Sequence, residues 1–141
     1  MELDQQIKLH LKLIYKGGSI MADILDVVVS IKRNGRDVTG FPFQWRKVVD
    51  ELQAFSYEKA TGGGYETLPT TQIATVQALV VTADQATTIR LDGQSDAGIV
   101  LNAGGLLLAL DITADASAST NATLDNSSGS TAVVTGLGAG T

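Results

Sequence analysis

The chain has 141 residues, 44% of them hydrophobic and 18% charged, which is too apolar for a disordered polymer and long enough for one domain with a real core. A formal net charge of -5 argues against nucleic acid as a partner, because phosphate binding needs a basic surface that displaces counterions. The absence of cysteine removes disulfides, thiolate metal sites and thiol nucleophiles together and fits folding in a reducing cytoplasm, and no apolar run approaches the roughly 20 residues that span a bilayer.

Ile7, Leu9, Leu11 and Leu13 alternate with Lys8, His10 and Lys12, the period-2 pattern of an amphipathic strand. Residues 1–20 therefore read either as an N-terminal arm strand that adds to its own sheet or a neighbour's, or as an extension ahead of a start at Met21. On the second reading Lys16-Gly17-Gly18 is a translated ribosome-binding sequence and the domain is 21–141. Val27, Val29 and Ile31 share the next strand face, and Asn34-Gly35 is the dipeptide of a type I′ hairpin turn, with a return strand over Arg36–Thr39. Arg46–Phe55 is the best helical candidate, with Val48, Val49, Leu52 and Phe55 at i, i+1, i+4 and i+7, for at most one short helix.

Gly62-Gly63-Gly64 predicts a flexible hairpin tip or bulge, and Ile73–Val81 a long strand that turns at Asp84-Gln85. The stretch Ala86–Ile112 is the expected centre of the core. Thr87, Ile89 and Leu91 alternate with polar residues, while Ile99–Leu101 and Leu106–Leu110 are continuous apolar runs, expected to be covered on both faces. Tight breaks at Gly93–Asp96 and Asn102–Gly105 separate them. After Thr113 the sequence lacks Lys, Arg, Glu and aromatic residues. Disorder is one explanation; the favoured one is a final hairpin around Asn126–Gly129, with Gly136–Thr141 loose or touching a neighbour. These patterns predict an all-β chain: a single β-sandwich or jelly-roll-like domain over 21–141.

Chemistry is sparse. His10 is the only histidine, so a Ser-His-Asp triad or histidine-based zinc site has no candidate set. Asp92, Asp96, Asp111 and Asp115 offer oxygens for calcium, but aspartate at turns more often bonds nearby backbone N–H groups. Asp50, Glu51, Glu58 and Glu66 contain no spacing that selects a glycosidase pair, and solvated surface charge explains them better. Gly62–Gly64 lacks the GK[ST] continuation of a phosphate loop. Asn121 and Asn126 sit in glycosylation sequons that lack a secretory signal. No cofactor, metal or catalytic residue is assigned. Phe41, Phe43, Trp45, Tyr65 and Val133 are the candidate interface residues, with core packing the competing role for the aromatics.

Three segments, FSYEKATGGGYETLP, TTIRLDGQSDAGIVLNAGGLLLALDI and STNATLDNSSGSTAVVTGLGAGT, resemble small bacteriophage proteins encoded among virion structural genes, and the likeness runs from about Ala22 to Thr141. The resemblance implies a non-enzymatic virion component made in the bacterial cytoplasm. Its expected form is a capsid decoration protein, a homotrimer that contacts itself and the major capsid or another virion protein, with no nucleic-acid or membrane partner. A minor tail or head–tail protein, or a receptor- or carbohydrate-binding module, is the alternative. The poverty in long charged side chains agrees with self-association, since little rotamer entropy is lost at such an interface.

Overall fold

The computed structural model describes residues 3–16, 19–91, 97–115 and 122–141. Gly17, Gly18, Asp92, the Gly93–Asp96 break and Asn121 lie outside them. Every regular element among the described residues is a strand, and the chain forms two compact units, 1–50 and 51–141.

The first unit comprises β1 (Leu3–Lys16) and residues 21–50, which the sequence reading groups with the sandwich. Its centre is β2 (Ser19–Arg33), paired antiparallel along β1 with Leu9 opposite Val27. Asn34 and Gly35 then take φ values of 52° and 75°, the double positive that a type I′ turn requires. The return strand is shorter than the expected Arg36–Thr39: β3 is only Arg36–Asp37. The chain then leaves the ladder, held by hydrogen bonds from Val38 N–H to Ile31 O and from Phe41 N–H to Val38 O, both 2.9 Å. It rejoins β2 as β4 (Phe43–Val49), with Phe43 opposite Val29 and Trp45 opposite Val27. Leu25, Val27 and Val49 are buried. Asp26, between two of them, binds Arg46 Nη2 at 3.0 Å and Gln44 Nε2 at 2.9 Å across the strand pair.

The helix expected over Arg46–Phe55 does not form. Its first half is the end of β4 and its second half lies in β5 (Glu51–Lys59). Val49 is fully buried while Val48 is 54% exposed, an alternation that suits a strand, and the adjacent β-branched valines favour it. The helical spacing is a coincidence of two strands' apolar positions on either side of Asp50.

The second unit is a β-sandwich of eight strands in two four-stranded antiparallel sheets. One has the order β10-β7-β12-β5, the other β6-β11-β8-β9. The remaining strands are β6 (Glu66–Thr67), β7 (Thr75–Ala83), β8 (Thr87–Arg90), β9 (Ile99–Leu101), β10 (Leu106–Asp115), β11 (Thr123–Asn126) and β12 (Ala132–Gly140). Hydrogen bonds nest the strands: β5 pairs with β12, β6 with β11, β7 with β10 and β8 with β9. Pairs β7·β12 and β8·β11 roll this long folded ribbon into two layers, which is jelly-roll wiring. Phe55, Leu79, Val81 and Val134 from one sheet and Ile89, Leu101 and Leu124 from the other share one buried core.

This wiring corrects four expectations. Gly62–Gly64 is a crossover between sheets, since β5 and β6 belong to different layers. The Asn126–Gly129 turn is likewise an arch from β11 to β12, not a hairpin. Gly136–Gly140 is no loose tail but the end of β12, a central strand bonded on both sides. The apolar runs of β9 and β10 are not covered on both faces. Each is the last strand of its sheet, and Ile99, Val100 and Leu106 are 44%, 66% and 47% exposed.

The inner face of β12 shows why glycine recurs there. A Cβ on Gly136 would run into the Val80 carbonyl oxygen and the Phe55 ring, and one on Gly138 would meet the Thr70 methyl at 2.5 Å. Phe55 stands directly opposite Gly136 in the ladder, so its ring fills the space that glycine leaves. Gly136→Val is expected to cost about 3 kcal/mol, the upper part of the overpacking range, because the obstruction includes backbone. Urea denaturation checks it, with Thr135→Val on the exposed face of the same strand as the near-neutral control.

Candidate functional site

Three local arrangements in the sandwich unit concentrate its polar chemistry. The first is the crossover at Gly62–Gly64. Lys59, almost fully buried at the end of β5, places Nζ 2.9 Å from Glu66 Oε1 on β6, so one ion pair ties the two sheets. A Cβ at Gly63 would come within 2.9 Å of that ammonium, so a side chain there would displace the lysine tip. Tyr57, two residues before Lys59, has a buried hydroxyl with no hydrogen-bond partner among the described residues. Burial first, and the Glu66 carboxylate second, push its pKa up from 10.0 to about 12.

The second arrangement is the β11–β12 arch, organised by Asn126. Its Nδ2 donates to the Lys59 carbonyl at 2.8 Å and the Ser130 carbonyl at 2.7 Å, while Oδ1 accepts from Ser128 N–H at 3.0 Å and Ser128 Oγ at 2.7 Å. The side chain is buried and committed, so this sequon marks a structural turn in the folded protein.

The third is a shallow, open groove of about 420 Å³ lined by Thr82, Ala83, Asp84, Gly104, Val133 and Thr135. Asp84 is its one titratable lining group, and Asp84 Oδ1 already accepts the Val133 N–H at 2.8 Å. The β9–β10 turn is pinned beside it by Gly104 N–H to Ala83 O and Thr82 Oγ1 to Gly105 O, each 2.8 Å. The groove suits a small apolar group and holds no acid–base pair.

The candidate interface residues fall in different places. Phe43 and Trp45 follow one another on one face of β4, Phe43 exposed and Trp45 half-buried, with Phe41 just ahead of the strand and also half-buried. Val133 lies on the groove rim and is 41% exposed. Tyr65 precedes β6, and the Arg90 guanidinium sits 3.9 Å above its ring, so that face is already used for a cation–π contact. Phe41, Phe43 and Trp45 belong to the first unit, Tyr65 and Val133 to the second.

Among the described residues no cluster of three or more His, Cys, Asp or Glu could hold a metal ion, and no helix is long and apolar enough to cross a membrane. Asp92 and Asp96, two of the four calcium candidates, lie outside those residues. The sequence reading missed Lys59, and it placed Asn126 and Asp84 in turns without the contacts they make. Asn126 carried a local signal, the Asn-Ser-Ser-Gly turn composition; Lys59 acquires its role from Glu66 in the other sheet, and Asp84 from Val133, distant in sequence. No protein-family model matches the chain, and neither curated proteins nor solved structures yield a match.

Two predictions follow from these sites. Because ionisation of Tyr57 favours the unfolded chain, its contribution is complete below pH 10 and is lost as pH rises from 10 towards about 12. Tyr57→Phe should be near-neutral at pH 7 and should flatten that alkaline decline in thermal melts. Asn126→Asp keeps the acceptor for Ser128 but sets a carboxylate against two carbonyls, so it should cost about 2 kcal/mol or more, and Asn126→Ala a similar amount, both read by urea denaturation.

Proposed function

We propose that this protein is a non-enzymatic structural component of a bacteriophage virion, a capsid decoration protein that stabilises the particle as a homo-oligomer, with a trimer as the expected form. The observation that carries the reading is the jelly-roll wiring of 51–141, an architecture used by viral capsid and lectin domains. Fold alone does not assign a job, and the likeness of three segments to phage structural proteins is what selects the virion among the jelly roll's uses. The groove, with one committed carboxylate, agrees with a role in holding surfaces together.

In this role the protein acts mechanically. Each copy adds interface between capsid subunits and so raises the free energy needed to separate them against internal DNA pressure. The β4 aromatics Phe43 and Trp45 are the anchors available on the first unit. The alternative, a receptor- or carbohydrate-binding module, relies on an open aromatic platform near the Gly62–Tyr65 tip. The Arg90 guanidinium over Tyr65 counts against that platform.

Mass spectrometry of gradient-purified virions from the host strain tests the reading. The chain is expected in the particle band in fixed proportion to the major capsid protein; recovery only from the soluble fraction overturns it. Trp45→Ala should reduce particle-bound protein about tenfold while shifting the thermal midpoint by only a few degrees. Equal losses in binding and stability would remove Trp45 from the interface.

A further inference from the structure

The outer edge of β10 is unpaired among the described strands. No other described strand pairs with β10 beyond β7, so the outer N–H and C=O groups of Leu106–Leu110 have no ladder partner. Natural edge strands are guarded by lysine, proline, bulges or short length. This one carries Leu106-Leu107-Leu108-Ala109-Leu110 without a charge or proline. The segment is sharply bounded. Before it lies the Gly104-Gly105 turn, and after it the pairing with β7 is interrupted from Leu110 to Ala114, with Asp111 exposed at a φ of 56°.

We infer that this five-residue edge pairs with the same edge of a second copy of the chain, antiparallel about a two-fold axis at Leu108. The sequence argues for a second copy because every mirror pair within the segment is apolar, with a small residue facing a large one in one pair. A two-fold at Leu108 sets Leu106 opposite Leu110, Leu107 opposite Ala109 and Leu108 opposite itself. The flanks are compatible too: Asp111 falls opposite Gly105, so no like charges face each other. The two sheets containing β10 would join into one continuous eight-stranded sheet. Such a contact is distinct from any three-fold interface, and yields a dimer alone or a pair of trimers. The inference deepens the self-association part of the proposed function and rests on it; the virion assay tests the remainder separately.

Because the chain has no cysteine, a single introduced one reports the geometry. Residues directly opposite in an antiparallel pair have Cα atoms about 4.5–5.5 Å apart, within the disulfide range of about 4.4–6.8 Å. Leu108→Cys should convert most of the full-length protein to a species of twice the mass under mild oxidation. Leu106→Cys should not, since its own copy lies four residues along the strand, roughly 13 Å away. The double variant Leu106→Cys/Leu110→Cys should regain cross-linking. Leu106→Lys, at a position exposed enough to leave the fold intact, should weaken the two-fold association at least tenfold by light scattering.

Cross-linking of Leu106→Cys as efficiently as Leu108→Cys, or of neither, overturns the inference. A wild-type protein that remains a monomer at all concentrations overturns both the inference and the homo-oligomeric reading. A wild-type protein that self-associates while Leu108→Cys stays uncross-linked removes this edge and leaves self-association standing.

Discussion

The sandwich depends on the inner face of β12 being empty of side chains at Gly136, Gly138 and Gly140. Phe55 enters the first space from the neighbouring strand, while Thr70 and Ile73 enter the others from the segment ahead of β7. A strand with three glycines on its core side is intrinsically weak there, since glycine loses the most backbone entropy and only Ala132 and Val134 offer side chains to pack. The compensation is twofold. Neighbouring side chains fill the vacated volume, and β12 lies between β5 and β7, bonded to both along nearly its full length. The C-terminal residue extends this arrangement by exchanging two backbone hydrogen bonds with Thr75.

Polar groups are placed where the chain changes sheets. Lys59 and Glu66 stand on either side of the β5–β6 crossover, and Asn126 gathers the β11–β12 arch while reaching back to the Lys59 carbonyl. These two crossings therefore share one hydrogen-bonded region at one end of the roll. A buried ammonium with its partner at the surface contributes little net stability as an ion pair, but removal of Glu66 would strand a desolvated charge. Its value is positional: it fixes how the ribbon folds over between layers.

Much of this was legible as texture and little as wiring. The Asn34-Gly35 turn, the alternation in Thr87–Arg90 and the all-β composition follow from local rules and appear as expected. The Arg46–Phe55 segment misled because two strands meeting at Asp50 place their apolar residues at helical intervals, and periodicity alone does not detect the break. The tail misled for a different reason. Glycine and small polar residues read as loose chain, yet here they are selected by Phe55, Thr70 and Ile73, which lie 65 to 81 residues earlier in the sequence. Lys59, Glu66 and Asp84 were invisible as a functional set because their partners come from other sheets or other turns.

The apolar runs Ile99–Leu101 and Leu106–Leu110 carry the most instructive difference. Continuous hydrophobicity normally signals a strand covered on both faces, as in parallel sheets. Here Leu107 and Ala109 face the core while Leu106 is half exposed, so the second apolar set has no core to explain it within the sheet that contains it. Selection for solubility acts against such residues at an unguarded edge, because they invite non-specific strand pairing. Their presence is consistent with an edge that is covered in the working assembly. The hydrophobic pattern, read as internal burial, divides in two: one set packs against the sandwich core, and the other is the set that the inferred edge pairing would cover.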